Sequence, residues 1–105
     1  MENNLNFDFK DGTLYVSLIG EIDYHSAAST REAIDEKILE LCPKNLVLDL
    51  ADAPFMDSSG FGLIMGRYQL MKDLGGTHAI ANPSAGHQKI FELAGLNKLI
   101  KYTKK

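Results

Sequence analysis

Only one cysteine, Cys42, occurs in the 105 residues, so no disulfide can form within the chain. A lone thiol fits a reducing compartment, and at the apolar end of a predicted helix it reads as a small core residue. No apolar run approaches the roughly 20 residues that a membrane-spanning helix requires. Met1-Glu2-Asn3-Asn4 supplies neither the basic nor the apolar part of a leader peptide. These absences point to a cytoplasmic protein without membrane contact. Basic charge is not in excess either, with 11 Lys and Arg against 14 Asp and Glu. The one basic cluster is the tail, Lys98, Lys101, Lys104 and Lys105, whereas nucleic acid demands a concentrated patch, so direct nucleic-acid binding is not expected. His25, His78, His87 and Cys42 show no metal-ligand spacing. Gly60, Gly62, Gly75 and Gly76 form neither a phosphate-binding loop nor a dinucleotide fingerprint. No metal and no cofactor are expected.

What is present suits one folded domain over residues 1–105. The chain is 45% hydrophobic and 24% charged, enough apolar material for a core without covalent staples. Leu5, Phe7 and Phe9 alternate with polar residues, Lys10-Asp11-Gly12 signals a hairpin, and a second strand covers residues 13–19. Apolar side chains on both faces of that second strand suggest one lying inside the sheet or covered on both sides. A helix over about residues 25–41 carries Thr30, Ala33, Ile34, Ile38 and Leu41 at helical spacing and stops before Pro43. Residues 46–50 read as a buried parallel strand, 58–74 as a helix ended by Gly75-Gly76, and 78–81 as a strand. Asn82-Pro83-Ser84 opens a helix to about residue 93 that turns Ile90, Phe91 and Leu93 inward. Leu99-Ile100-Lys101-Tyr102 is left as an edge strand. The order β-β-α-β-α-β-α-β implies an α/β fold: a mixed, mostly parallel sheet of about five strands with helices packed on it.

The segment that carries chemistry is Pro54-Phe55-Met56-Asp57-Ser58-Ser59-Gly60-Phe61-Gly62, joining the third strand to the second helix. In open parallel sheets, function gathers in such loops at the carboxyl ends of strands. The Ser58 hydroxyl falls at the predicted helix start, where backbone N–H groups without helical partners and the helix dipole would stabilise a phosphate. The plain alternative is that Asp57 or Ser58 merely caps the helix. A hydrolase using Ser58, Asp57 and a histidine is a third reading, but no Gly-x-Ser-x-Gly elbow accompanies it. The second helix is also apolar over roughly 220° of its circumference, leaving a strip with Gly62, Gly66, Gln69 and Asp73. Such width means either a helix wedged between the sheet and another helix, or a partner-binding surface beside Ser58.

Phe55-Met56-Asp57-Ser58-Ser59-Gly60-Phe61-Gly62, continuing through Gly66-Arg67-Tyr68 to Leu74-Gly75-Gly76, closely resembles the signature of the STAS domain family, the bacterial anti-sigma factor antagonists. Gly20-Glu21-Ile22-Asp23-Tyr24-His25 is similar to that family's upstream motif, and the resemblance covers the whole chain. Asp23-Tyr24-His25 and Gly66-Arg67-Tyr68 look most like the sporulation branch, with the general-stress antagonists close by. The resemblance implies a non-enzymatic switch. Its unmodified form binds an anti-sigma factor that is also a serine kinase, releasing the sigma factor. Phosphorylation of the residue matching Ser58 turns it off, and a PP2C-type phosphatase restores it. By the same resemblance Asp57, Ser59 and Gly60 shape the loop, and Glu21 and Asp23 face the partner. Gly62, about one turn from Ser58 on the strip free of large apolar side chains, is expected on the partner side of the helix. The other reading open to this family is a STAS module that senses a small ligand or nucleotide.

Overall fold

The computed structural model describes residues 5–21, 23–53, 56 and 58–103. Asp11 and Gly12 both take positive φ, 53° and 81°, the pairing that a tight two-residue hairpin turn requires. They join β1 (Leu5–Lys10) to β2 (Thr13–Ile19), antiparallel from Leu5 opposite Leu18 to Lys10 opposite Thr13. Strands β3 (Asn45–Asp52), β4 (Thr77–Ala81) and β5 (Lys101–Thr103) follow in parallel, giving a five-stranded sheet in the order β1-β2-β3-β4-β5. Helices α1 (Tyr24–Leu41), α2 (Ser58–Asp73) and α3 (Ala85–Leu93) connect the parallel strands. Each crossover moves one strand on in the same direction, so right-handed connections put all three helices on one face. That face is the core. Leu14, Val16, Leu18, Leu46, Leu48 and Ile80 point into it and are fully buried, whereas Tyr15, Ser17, Val47 and Ala79 on the opposite face are partly exposed. The two-faced apolar pattern of β2 therefore belongs to a strand inside the sheet, covered by helices on one side.

Helix α1 buries Thr30, Ile34 and Ile38, one residue per turn. Helix α2 lies against β3 and β4 and also beside α1, which accounts for much of its broad apolar arc. Its end is a Schellman motif: Gly75 at φ +82° donates to the Lys72 carbonyl, and Gly76 donates to that of Met71. Gly76 has a second reason to be glycine, because a Cβ there would stand 2.7 Å from the Lys44 carbonyl oxygen. That close approach lets Thr77 donate to the same oxygen and start β4 beside β3.

Three expectations are corrected. Cys42 is exposed, not core; it caps α1 in the left-handed region (φ 47°, ψ 55°), which swings its side chain out of the apolar stripe. Ile90 and Leu93 point outward, 47% and 82% exposed, because the nine-residue α3 buries only His87 and Phe91, one turn apart. The last strand begins at Lys101, since residues Leu96–Lys98 form a 3₁₀ turn and Ile100 enters the core.

Candidate functional site

The site forms where β2 and β3 end. Between the pairs Ser17–Asp49 and Ile19–Asp52, β3 advances one residue more than β2, a bulge that re-aims the strand end. Asp49, almost buried within an otherwise apolar strand, pins it: its Oδ1 accepts from Ala51 N at 2.9 Å and from Asn82 Nδ2 at 3.0 Å. Gly20, at φ +84°, then donates to the Asp52 carbonyl at 2.8 Å. This bond holds the 20–23 loop against the strand that leads to Ser58.

Glu21 in that loop is exposed. Asp23 is half-buried and caps α1: its Oδ1 accepts from Ser26 N at 3.0 Å, while Ser26 Oγ accepts from Asp23 N at 3.2 Å. The Ser26 amide, with help from its hydroxyl and from His25, holds the Asp23 carboxyl below the usual carboxylate range. Its negative charge is thus spent first on the helix start. Ser58 is exposed and is the first residue of α2. Asp57 lies outside the described residues.

The remaining expected contacts divide. Gly60 is buried in the first turn of α2. Ser59 is half-buried and Gly62 exposed, and both line a groove of about 410 Å³ between α1 and α2, floored by Ala27, Ala28 and Gly66 and flanked by Tyr24 and Arg31. Among the described residues, a Cβ placed on Gly62 or Gly66 would meet nothing within 4 Å. On the other side of Ser58 is an apolar recess of about 260 Å³ made by Met56, Phe61, Ile90 and Ala94. Ser58 itself lines this apolar hollow, while its neighbour Ser59 lines the groove of small residues.

Arg67 was not legible as a structural residue. Its side chain is 7% exposed, and its Nε lies 2.7 Å from Oδ1 of Asp35 on α1. Neither atom is aligned for a hydrogen bond, so charge holds this pair, while Nη1 donates to the Leu63 carbonyl at 3.4 Å. The available signal was position: Arg67 follows Leu63 and Ile64 and precedes Met71 at helical spacing, on the stripe that faces inward.

The three histidines lie in different surroundings. His25 is exposed and packs edge-on to Tyr24. His87 Nδ1 accepts from Ser84 N at 3.1 Å in the cap of α3, and His78 lies at the far end of α2. Among the described residues no hydrogen bond joins Ser58 to a histidine, and no group of three His, Cys, Asp or Glu side chains could hold a metal. No described helix is long and apolar enough to cross a membrane.

The STAS domain family matches residues 4–105. The anti-sigma F factor antagonist of Paenibacillus polymyxa is 34% identical over 100 residues, 95% of this chain and 86% of that protein. Among solved structures, the anti-sigma factor antagonist SpoIIAA in its unphosphorylated form matches with a TM-score of 0.81 at 27% identity, over 93% of this chain and 86% of that one. The phosphorylated form of the Bacillus cell fate determinant SpoIIAA matches with a TM-score of 0.75 at 27% identity, over 93% and 89%.

Proposed function

The chain belongs to the STAS domain family, and on that premise we propose that it is an anti-sigma factor antagonist switched by phosphorylation of Ser58. Unmodified, it binds an anti-sigma factor and so frees the sigma factor. The partner is itself a serine kinase that modifies Ser58, and a PP2C-type phosphatase reverses the step; the chain itself catalyses nothing. One observation carries the reading: Ser58 is exposed as the first residue of α2, at the end of the sheet where the Glu21 and Asp23 loop is tied by the Gly20–Asp52 bond. Relatives in both phosphorylated and unphosphorylated forms support it.

The physics of such a switch is local. A phosphate adds about −1.5 to −2 charge at pH 7. At a helix start it meets free N–H groups and the favourable end of the dipole, so the fold accepts it. A partner surface fitted to the unmodified, already acidic loop would have to desolvate a dianion, and association weakens.

Ser58→Ala should fold with stability within about 0.5 kcal/mol of the parent, as expected for an exposed position. Incubated with the cognate kinase and labelled ATP, it should take up no label; label appearing at Ser59 instead would refute the assignment. Gly62 tests the partner face. With open space where its Cβ would be, Gly62→Gln should leave folding neutral or improve it by about half a kcal/mol. The longer side chain would fill the groove beside Ser59 and weaken binding to the anti-sigma factor at least tenfold, about 1.4 kcal/mol. Calorimetric melting and a titration on one preparation separate the two effects, and unchanged affinity would move the interface to the Glu21 loop.

A further inference from the structure

A second candidate site lies at the opposite end of α2. Ser58 and Lys72 are separated by about 21 Å along the helix axis at the standard rise per residue. There, the last turns of α2 and the starts of β4 and β5 enclose a cleft of about 400 Å³ lined by Tyr68, Lys72, Thr77, His78, Leu99 and Lys101. Its base is unusual. His78 is 7% exposed, yet among the described residues neither Nδ1 nor Nε2 has a hydrogen-bond partner. A neutral imidazole carries one donor and one acceptor, and buried polar atoms are rarely left unpaired.

The rest of the cleft says what would pair with it. Lys72 and Lys101 bring two positive charges, Arg67 adds a third field at the imidazole, and among the described residues no acidic side chain lines the wall. The Tyr68 ring, 6.4 Å from that of His78 and tilted by 53°, and the half-exposed Leu99 make the flanks apolar. We infer that this cleft binds a small organic anion, a carboxylate or phosphate ester on a flat apolar body, with Lys72 and Lys101 on the anionic head and His78 on a polar edge. Because the site is remote from Ser58, it stands independently of the proposed phosphorylation switch.

Phenyl phosphate and benzoate serve as probes, followed through backbone amide shifts and the His78 ring nitrogens. At least one should shift Lys72, Thr77, His78 and Lys101 saturably, with half-saturation at about 1 mM or below. Inorganic phosphate, lacking the flat body, and benzyl alcohol, lacking the charge, should bind at least tenfold more weakly. The ratio of the two anions identifies the head group. Replacing both exposed lysines (Lys72→Gln with Lys101→Gln) should weaken binding at least tenfold with melting unchanged. Lys37→Gln, on α1 over the Phe7 ring, should leave binding as it was. No saturation by either anion up to about 20 mM, equal binding of inorganic phosphate, or equal loss in Lys37→Gln would overturn the inference.

Discussion

Acidifying the protein from pH 7 to pH 4 should weaken its fold by about 3 kcal/mol through His78 alone. Burial pushes the His78 pKa down to about 4 from 6.5, and the nearby Arg67 charge acts in the same direction. In the unfolded chain the imidazole takes up its proton as pH falls through 6.5, whereas in the fold it stays neutral until about 4. Across that window the unfolded state holds the extra proton, so stability is complete above pH 6.5 and is lost as pH falls toward 4. His87 is also held neutral by burial and adds to the same slope. Asp23, whose pKa is lowered, takes over further down as its carboxylate is protonated and the α1 cap fails. Urea unfolding at pH 7 and pH 4.5 measures the loss. His78→Phe keeps a ring of similar size and has nothing to protonate, so it should flatten the slope by about one proton. The same slope in both proteins would mean that His78 is not its source.

Asp35→Ala should destabilise the protein by about 3 kcal/mol, because it strands the Arg67 guanidinium in a site from which water is excluded. The reverse change should be milder. The Asp35 side chain is 30% exposed against 7% for Arg67, so once Arg67 is gone the carboxylate can turn to water. Arg67→Met, which retains an apolar stem, should therefore lose only about 1 kcal/mol. The double variant should be more stable than Asp35→Ala alone, and a double-mutant cycle by chemical denaturation reads the coupling directly. If both single changes cost the same, the pair is solvated and its charge is not what locks α1 to α2. Since Arg67 also lines the groove beside Ser59 and Gly62, Asp35→Ala should also reduce partner affinity, although Asp35 is not among the groove's lining residues.

Much of this was readable along the chain. Asp11-Gly12 announced the hairpin because only a few residues accept two consecutive positive φ values. Gly75-Gly76 marked the end of α2 for the same kind of local reason. The stretch around Ser58 stood out by its place between a buried strand and a helix, and by its family motif. By contrast, Ile90 and Leu93 were expected inside and are outside, while Arg67, charged and long, is inside. Asp49 reads as an interruption of an apolar strand, and only its bonds to Ala51 and Asn82 explain it.

The division has one physical cause. By itself the sequence determined the order of strands and helices, the turns at Asp11-Gly12 and Gly75-Gly76, and the helix start at which Ser58 sits, because these rest on torsions and contacts among residues a few positions apart. Periodicity also settled which side chains share a face in β2 and α1, though not in α3. Which face another element covers was decided only by the tertiary structure. So were the neutrality of His78, the pairing of Arg67 with Asp35, and the approach of the Glu21 loop to the strand before Ser58. Each of these depends on burial or charge supplied by residues distant in the chain, and that no local pattern contains.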